Sequence, residues 1–239
     1  MHLTKMHSYF ADFKLFSPRI LHNPVRALTT AIVGPLIYAY RSGFYRSTFK
    51  RAAVTKQGDP LPWYSYPLID FLKTRDFEEK KILEFGAGQS TRWWAQRASS
   101  VVALEGDSHW LNSLKAQILS NVSLHLVSMS SAKQNVEEVA KVLTNFPDAS
   151  FDVIVIDGLY RREMVPFAIR LLAHDGFIIF DNSEGYGAFE EFKDRNLQRI
   201  DFFGMAPGVV LPHCSSVYFN LSSFVFNPKF PIPGTPNAQ

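Results

Sequence analysis

From residue 81 onward the chain alternates between short apolar blocks and stretches in which apolar residues recur at helical spacing. The blocks at 81–85, 101–105, 122–127, 151–157 and 176–181 are rich in Val, Ile, Leu and Phe and read as strands buried on both faces. The stretches at 90–98, 109–119, 132–143, 161–173 and 188–195 read as the intervening amphipathic helices. Two further strands, near 199–203 and 215–220, have no helix between them and predict a terminal hairpin, hence one antiparallel strand near the C-terminus. This alternation predicts an α/β fold, a Rossmann-like doubly wound sheet that is mostly parallel and covered by helices on both faces.

The first 80 residues do not follow this rhythm. Residues 1–56 form a basic, apolar helical arm, and 57–80 a Pro/Gly-rich linker with a leading helix over Leu68-Ile-Asp-Phe-Leu72. The domain occupies 81–222, and a proline-rich tail, read as extended or disordered, closes the chain at 223–239. Within the arm, Ala27 to Tyr40 is an uncharged run of 14 residues between Arg26 and Arg41, with Gly34-Pro35 expected to interrupt its helix. A spanning helix needs about 20 such residues. Two readings remain: a helix lying in a membrane interface over 17–51, or an arm packing on the domain or on a second copy.

Composition, at 46% hydrophobic and 20% charged, is ordinary for a globular chain with a real core. The net charge of +3 is uneven. Residues 1–56 carry nine Lys/Arg against the single acid Asp12, which leaves −5 on the remainder. Cys214 is the sole cysteine, so an intrachain disulfide is excluded, and it reads as a buried residue on a late strand. The opening Met1-His-Leu-Thr-Lys-Met-His lacks the features of a secretory leader. A cytoplasmic setting is expected, or a peripheral one on the inner face of a membrane.

The chemistry concentrates at the strand ends. The first strand closes in Glu84-Phe-Gly86-Ala-Gly88-Gln-Ser90-Thr91 and enters a helix. Gly86 and Gly88 permit a sharp turn and close backbone approach to a ligand, and Ser90 or Thr91 can cap the helix. Thr91 stands where a dinucleotide loop needs its third glycine, and there is no Gly-Lys-Ser/Thr phosphate loop. An acid at Glu84 suits a cationic, amino-acid-bearing cofactor better than a pyrophosphate. Glu105, 21 residues later, ends the next strand, where a carboxylate accepts from both hydroxyls of a ribose.

These segments resemble the class I S-adenosylmethionine-dependent methyltransferases. Ile82-Leu-Glu-Phe-Gly-Ala-Gly88 is similar to their first motif, Val102-Ala-Leu-Glu105 to the second, Phe151-Asp-Val-Ile-Val-Ile-Asp157 to the fourth and Gly176-Phe-Ile-Ile-Phe-Asp181 to the strand after it. The resemblance implies S-adenosylmethionine as cofactor, held by Glu84, Gly86, Gly88, Ser90, Thr91, Glu105, Asp157 and Gly158. Leu61-Pro-Trp-Tyr-Ser-Tyr66, Gly88-Gln-Ser-Thr-Arg-Trp-Trp94, Asp181-Asn-Ser183 and Asp201-Phe-Phe-Gly-Met-Ala-Pro-Gly208 look more like an uncharacterised bacterial-type branch of that superfamily.

A partial likeness to the catechol-type and caffeoyl-coenzyme-A-type O-methyltransferases implies a divalent metal on Asp157, Asp181 and Asn182, which would acidify a substrate hydroxyl. Those enzymes carry a lysine three residues after the first Asp, where this chain has Tyr160. The preferred reading is therefore that Asp157 lines the pocket and Asp181-Asn182 form a turn. Asp157 and Asp181 are the candidate catalytic residues. Trp63, Tyr64 and Tyr66 are candidates for a substrate wall, while Trp93 and Trp94 read as core. His109, His125 and His174 show no metal spacing and read as surface or helix-end positions.

The expected activity is O-methylation of a small molecule, lipid or sugar. Two alternatives stand beside it: a nucleic-acid methyltransferase, or a non-catalytic, membrane-associated scaffold on the same fold. Nucleic acid is the weaker partner, since Asp157-Gly-Leu-Tyr160 lacks the Asn/Asp-Pro-Pro-Tyr/Phe pattern and the domain is acidic. The oligomeric state and the methyl acceptor stay open at this level.

Overall fold

The computed structural model describes residues 18–186 and 190–230. Its strands are β1 (Lys81–Phe85), β2 (Ser100–Glu105), β3 (Val122–Leu126), β4 (Phe151–Ile156), β5 (Leu172–Asp181), β6 (Gln198–Ala206) and β7 (Val209–Phe219). They form one sheet in the order β3-β2-β1-β4-β5-β7-β6. The first five lie parallel, and β7 runs antiparallel to both β5 and β6. The predicted Rossmann-like, mostly parallel sheet with a closing hairpin is the one observed.

The helices are α1 (Arg19–Arg41), α2 (Phe44–Lys50), α3 (Tyr66–Leu72), α4 (Gln89–Ala95), α5 (Ser108–Lys115), α6 (Ala132–Leu143), α7 (Arg161–Leu171) and α8 (Glu190–Lys193). Strand alternation divides the core in two. On one face Ile82, Val101, Val153, Val155 and Ile179 meet Trp93, Trp94, Tyr64 and Leu68. On the other, Leu83, Val102, Ile154, Ile156 and Ile178 meet Val139 and Leu143 of α6 and Val165 and Leu171 of α7. Trp93 and Trp94 are fully buried, as their helical position suggested, and Cys214 is buried as expected.

Several expectations shift. The helix expected to break at Gly34-Pro35 runs unbroken through both Pro24 and Pro35. Pro35 removes the hydrogen bond to the Ala31 carbonyl, but Ala31 lies on an exposed stretch, where a freed carbonyl costs little because solvent can reach it. The closing hairpin is longer than predicted, because β6 and β7 keep pairing almost to the Pro207-Gly208 turn. Of the helix expected over 188–195, residues 188 and 189 lie outside the described residues and the remainder is the single turn α8. The opening segment 1–17 and tail residues 231–239 also lie outside them. Just before that point, the backbone N–H groups of Lys229 and Phe230 donate to the Thr74 carbonyl, which fastens the start of the tail at the end of α3.

The arm meets the domain at α2, where the Gly208 turn packs against Ser47 and Thr48. Within the arm, Ser47 Oγ donates to the Val54 carbonyl and accepts from the Val54 N–H, both at 3.0 Å. The edge of Tyr38 meets the Tyr66 ring at 5.8 Å.

Candidate functional site

A cleft of about 590 Å³ opens at the carboxyl ends of β1, β2, β4 and β5, the place where open parallel sheets bind ligands. Its floor is the turn after β1. Gly86 sits at φ +97, and a Cβ there would lie 2.8 Å from the Asp157 carbonyl oxygen and from Gly158. The ends of β1 and β4 can therefore press together only because position 86 is glycine. Gly88 is different: its backbone is extended, and a Cβ would meet only Ser90 Oγ at 3.9 Å.

Glu105, at the end of β2, is held by backbone donors. One carboxylate oxygen accepts from the N–H groups of Gly106 and Asp107 at 2.8 Å, and the other from Ala87 at 2.9 Å. A carboxylate has about four lone-pair directions, so the oxygen facing Ala87 retains one for a ligand hydroxyl.

Glu84 lies elsewhere than on the cleft wall. It shares a strand face with Ile82, so its carboxylate sits in the apolar layer, fully buried, where it accepts from the Thr91 hydroxyl. Thr91 Oγ1 in turn accepts from Gly88 N–H at 2.9 Å. Glu84 thus latches the glycine loop to the first turn of α4 from behind. Burial pushes its pKa up to about 7, against the lowering hydrogen bonds of Ser90 and Thr91. Ser90 lines the cleft and Thr91 does not.

Asp157 and Gly158, after β4, line the cleft. Burial and the carboxylate of Asp181 push Asp157 well above the ordinary range, opposed by Arg161. That arginine was not singled out from the sequence. Its guanidinium donates to Asp157 at 2.9 Å, to the Asn182 side-chain oxygen at 3.0 Å and to the backbone carbonyls of Gly158 and Asp181. Asp157 and Asn182, two of the ligands implied for a divalent metal, are bridged by this permanent cation, and Asp181 accepts from Ser215 Oγ. As arranged, Arg161 occupies oxygens of Asp157 and Asn182 that a divalent ion would need. Asn182 does make the expected turn, at φ +50, and leads into a 3₁₀ turn over Ser183–Gly185.

His213 is the second group that sequence reasoning missed. Asp181 of β5 pairs in register with Ser215 of β7. His213, two residues on, lies on the same face as Ser215 and projects past the end of β5. Its Nε2 stands 3.6 Å from Asp181 Oδ1, at ion-pair distance, and the ring lines the cleft. Burial pulls the imidazole down, yet Asp181 and Glu184 outweigh that and the net shift is upward.

Of the expected substrate wall only Trp63 reaches the cleft, half exposed, with its indole N–H donating to the Pro207 carbonyl at 2.9 Å. Tyr64 and Tyr66 are core residues instead. Tyr64 Oη accepts from Trp94 Nε1 at 3.2 Å, and burial raises both phenols, that of Tyr66 to about 12. A tyrosine on an apolar surface with a buried partner gains more from packing than from facing solvent. Trp110, also missed, forms an aromatic wall beside Ala87, whose carbonyl accepts from its indole at 2.7 Å. His109 and His174 are exposed and His125 is partly so, as expected.

No family model and no characterised protein sequence matches the chain. Solved structures similar to it include a precorrin methyltransferase from Geobacter metallireducens (17% identity, TM-score 0.48, covering 64% of this chain and 87% of that one). A tRNA methyltransferase from Aquifex aeolicus (16% identity, TM-score 0.45, 67% and 70%) and spermidine synthase from Thermotoga maritima (12% identity, TM-score 0.45, 65% and 60%) are similar to it as well. Fold alone does not fix function, so the reaction is read from the cleft's own residues.

Proposed function

We propose that this chain is an S-adenosylmethionine-dependent methyltransferase that methylates a hydroxyl of a small molecule, lipid or sugar. The observation that carries this reading is the pairing of two sub-sites in one cleft: the glycine loop with Glu105 at one end, and His213 on Asp181 at the other. The residues fit the cofactor. Gly88 leaves space above the loop, since a Cβ there would meet nothing closer than Ser90 Oγ at 3.9 Å, and Glu105 keeps a free lone pair for a ribose hydroxyl. Glu105 and Asp181 on the wall favour a cationic ligand, one guanidinium notwithstanding.

S-adenosylmethionine would supply a methyl group on a cationic sulfonium, whose carbon–sulfur bond breaks with both electrons going to sulfur to leave a thioether. The chain's own groups do the rest. Trp63 and Trp110 line the cleft with aromatic surface on which a bound ligand can pack. Nε2 of His213 is turned to Asp181, which leaves Nδ1 to take the hydroxyl proton as the new oxygen–carbon bond forms. Asp181 steadies the resulting imidazolium, and Ser215 steadies Asp181.

Calorimetric titration with S-adenosylhomocysteine tests the reading. The full chain is expected to bind it, and Glu105→Ala to bind about 10- to 100-fold more weakly, as for a hydrogen bond to a charged group. A chain that binds neither the donor nor its demethylated product would overturn it.

A further inference from the structure

The arm and the hairpin tip carry an apolar surface that the methyl-transfer chemistry does not use. On α1, Leu21, Leu28, Ile32 and Leu36 are each about half exposed. Their spacing of seven, four and four residues gathers them within an arc of about 80° at 100° per residue. Arg19, Arg26 and Arg41 fall on the opposite side of the same helix, and all are exposed. No helix among the described residues is long and apolar enough to cross a membrane. The 14-residue uncharged stretch of α1, about 21 Å long, falls short of a hydrocarbon core of about 30 Å.

A second apolar patch borders the cleft. The turn at Gly208 packs on α2, so closely that a Cβ there would lie 2.9 Å from backbone atoms of Ser47 and Thr48. Beside that contact Phe49 is 87% exposed, and on the hairpin Val210 and Leu211 are 77% and 74% exposed. The neighbouring Val209, with Trp63 and His213, lines the cleft itself. The rim of the site and the apolar surface are therefore adjacent parts of one hairpin.

Charge decides the occupant. Between residues 18 and 56 there are seven Lys/Arg and no acid. A two-fold pairing of arms would set like charges against like, whereas an anionic lipid surface attracts the arm's positive charge and accepts its apolar stripe. We infer that α1, Phe49 and the tip of the β6–β7 hairpin dock on an anionic bilayer, and that the acceptor is a membrane-resident amphiphile presenting its hydroxyl at the cleft mouth. The acceptor class rests on the methyl-transfer reading; the docking does not.

Co-sedimentation of the full chain with phosphatidylglycerol/phosphatidylcholine vesicles and with phosphatidylcholine vesicles alone tests the docking. Binding to the anionic vesicles at least tenfold above the neutral ones is expected. Two variants, Leu28→Gln/Ile32→Gln/Leu36→Gln and Phe49→Ser/Val210→Ser/Leu211→Ser, should each lose tenfold or more of it while S-adenosylhomocysteine affinity and Tm are kept. Equal binding to both vesicle types, undiminished binding by both variants, or a chain that self-associates through the arm and ignores vesicles would each overturn the docking. Vesicle binding without S-adenosylhomocysteine binding would leave the docking standing and defeat the methyl-transfer reading and the acceptor class with it. With both bindings intact, methyl transfer to soluble alcohols but not to hydroxyl-bearing lipids in vesicles would defeat the acceptor class alone.

Discussion

His213 and Glu84 are two titratable residues whose environments push them in a functional and a structural direction. For His213 to act as base it must be neutral, and the upward shift set by Asp181 delays that. The ascending limb of kcat/KM against pH is then expected above the ordinary imidazole range. His213→Gln should abolish that limb and cost about 10²- to 10⁴-fold in rate, whereas Asp181→Asn should move the limb to lower pH. A pH–rate profile unchanged by His213→Gln would remove it as the base. Glu84 bears on folding. Its folded pKa of about 7 exceeds the ordinary 4.5, so the folded state holds a proton that the unfolded state has released. Stability should fall as pH rises from about 4.5 to 7, by roughly 3 kcal/mol at most, and stay low above. Thermal melts of Glu84→Gln should lack this slope.

Among the elements, the loop between β1 and α4 contains two glycines with separate duties. Gly86→Ala places a methyl at φ +97 against the Asp157 carbonyl. It is expected to destabilise the fold by 1–3 kcal/mol or more and to lose cofactor affinity with it. Gly88→Ala meets nothing closer than 3.9 Å within the protein. Its Tm should be nearly unchanged, and any loss of S-adenosylhomocysteine affinity would report contact with the ligand. The two melting curves and two titrations separate a folding role from a binding role. The pattern Gly-x-Gly was legible in the sequence; that only the first glycine is pinned by β4 was not, because the contact joins residues 71 apart.

At the scale of the molecule, an acidic domain carries a strongly basic arm, +8 over 1–56 against −5 beyond. Opposite charges of this size favour intramolecular docking, yet α1 keeps its leucine stripe in solvent and meets the domain through Tyr38 on Tyr66 and through α2. If lipid attraction is electrostatic in its onset, raising the salt from about 0.1 M to 1 M shortens the screening length from about 10 Å to 3 Å. Vesicle pelleting of the intact chain should then drop several-fold, while S-adenosylhomocysteine affinity, set inside the cleft, should change little. A salt-independent pellet would assign the binding to the apolar stripe alone.

Strand and helix order, the parallel sheet, the closing hairpin and the strand-end acids Glu105, Asp157 and Asp181 were all readable along the chain. They are local periodicities and motifs, carried by consecutive residues with a face to bury. What the tertiary structure decided is which side chains share a space. Register on β7 brings His213 to Asp181 across 32 residues, and Arg161 turns back to bridge Asp157 and Asn182 where a metal was considered. Tyr64 and Tyr66 are drawn into the core while Trp63 stays at the cleft. Burial is a property of the whole packed arrangement, and one residue's place on an extended segment leaves it undetermined until the sheet and arm close around it.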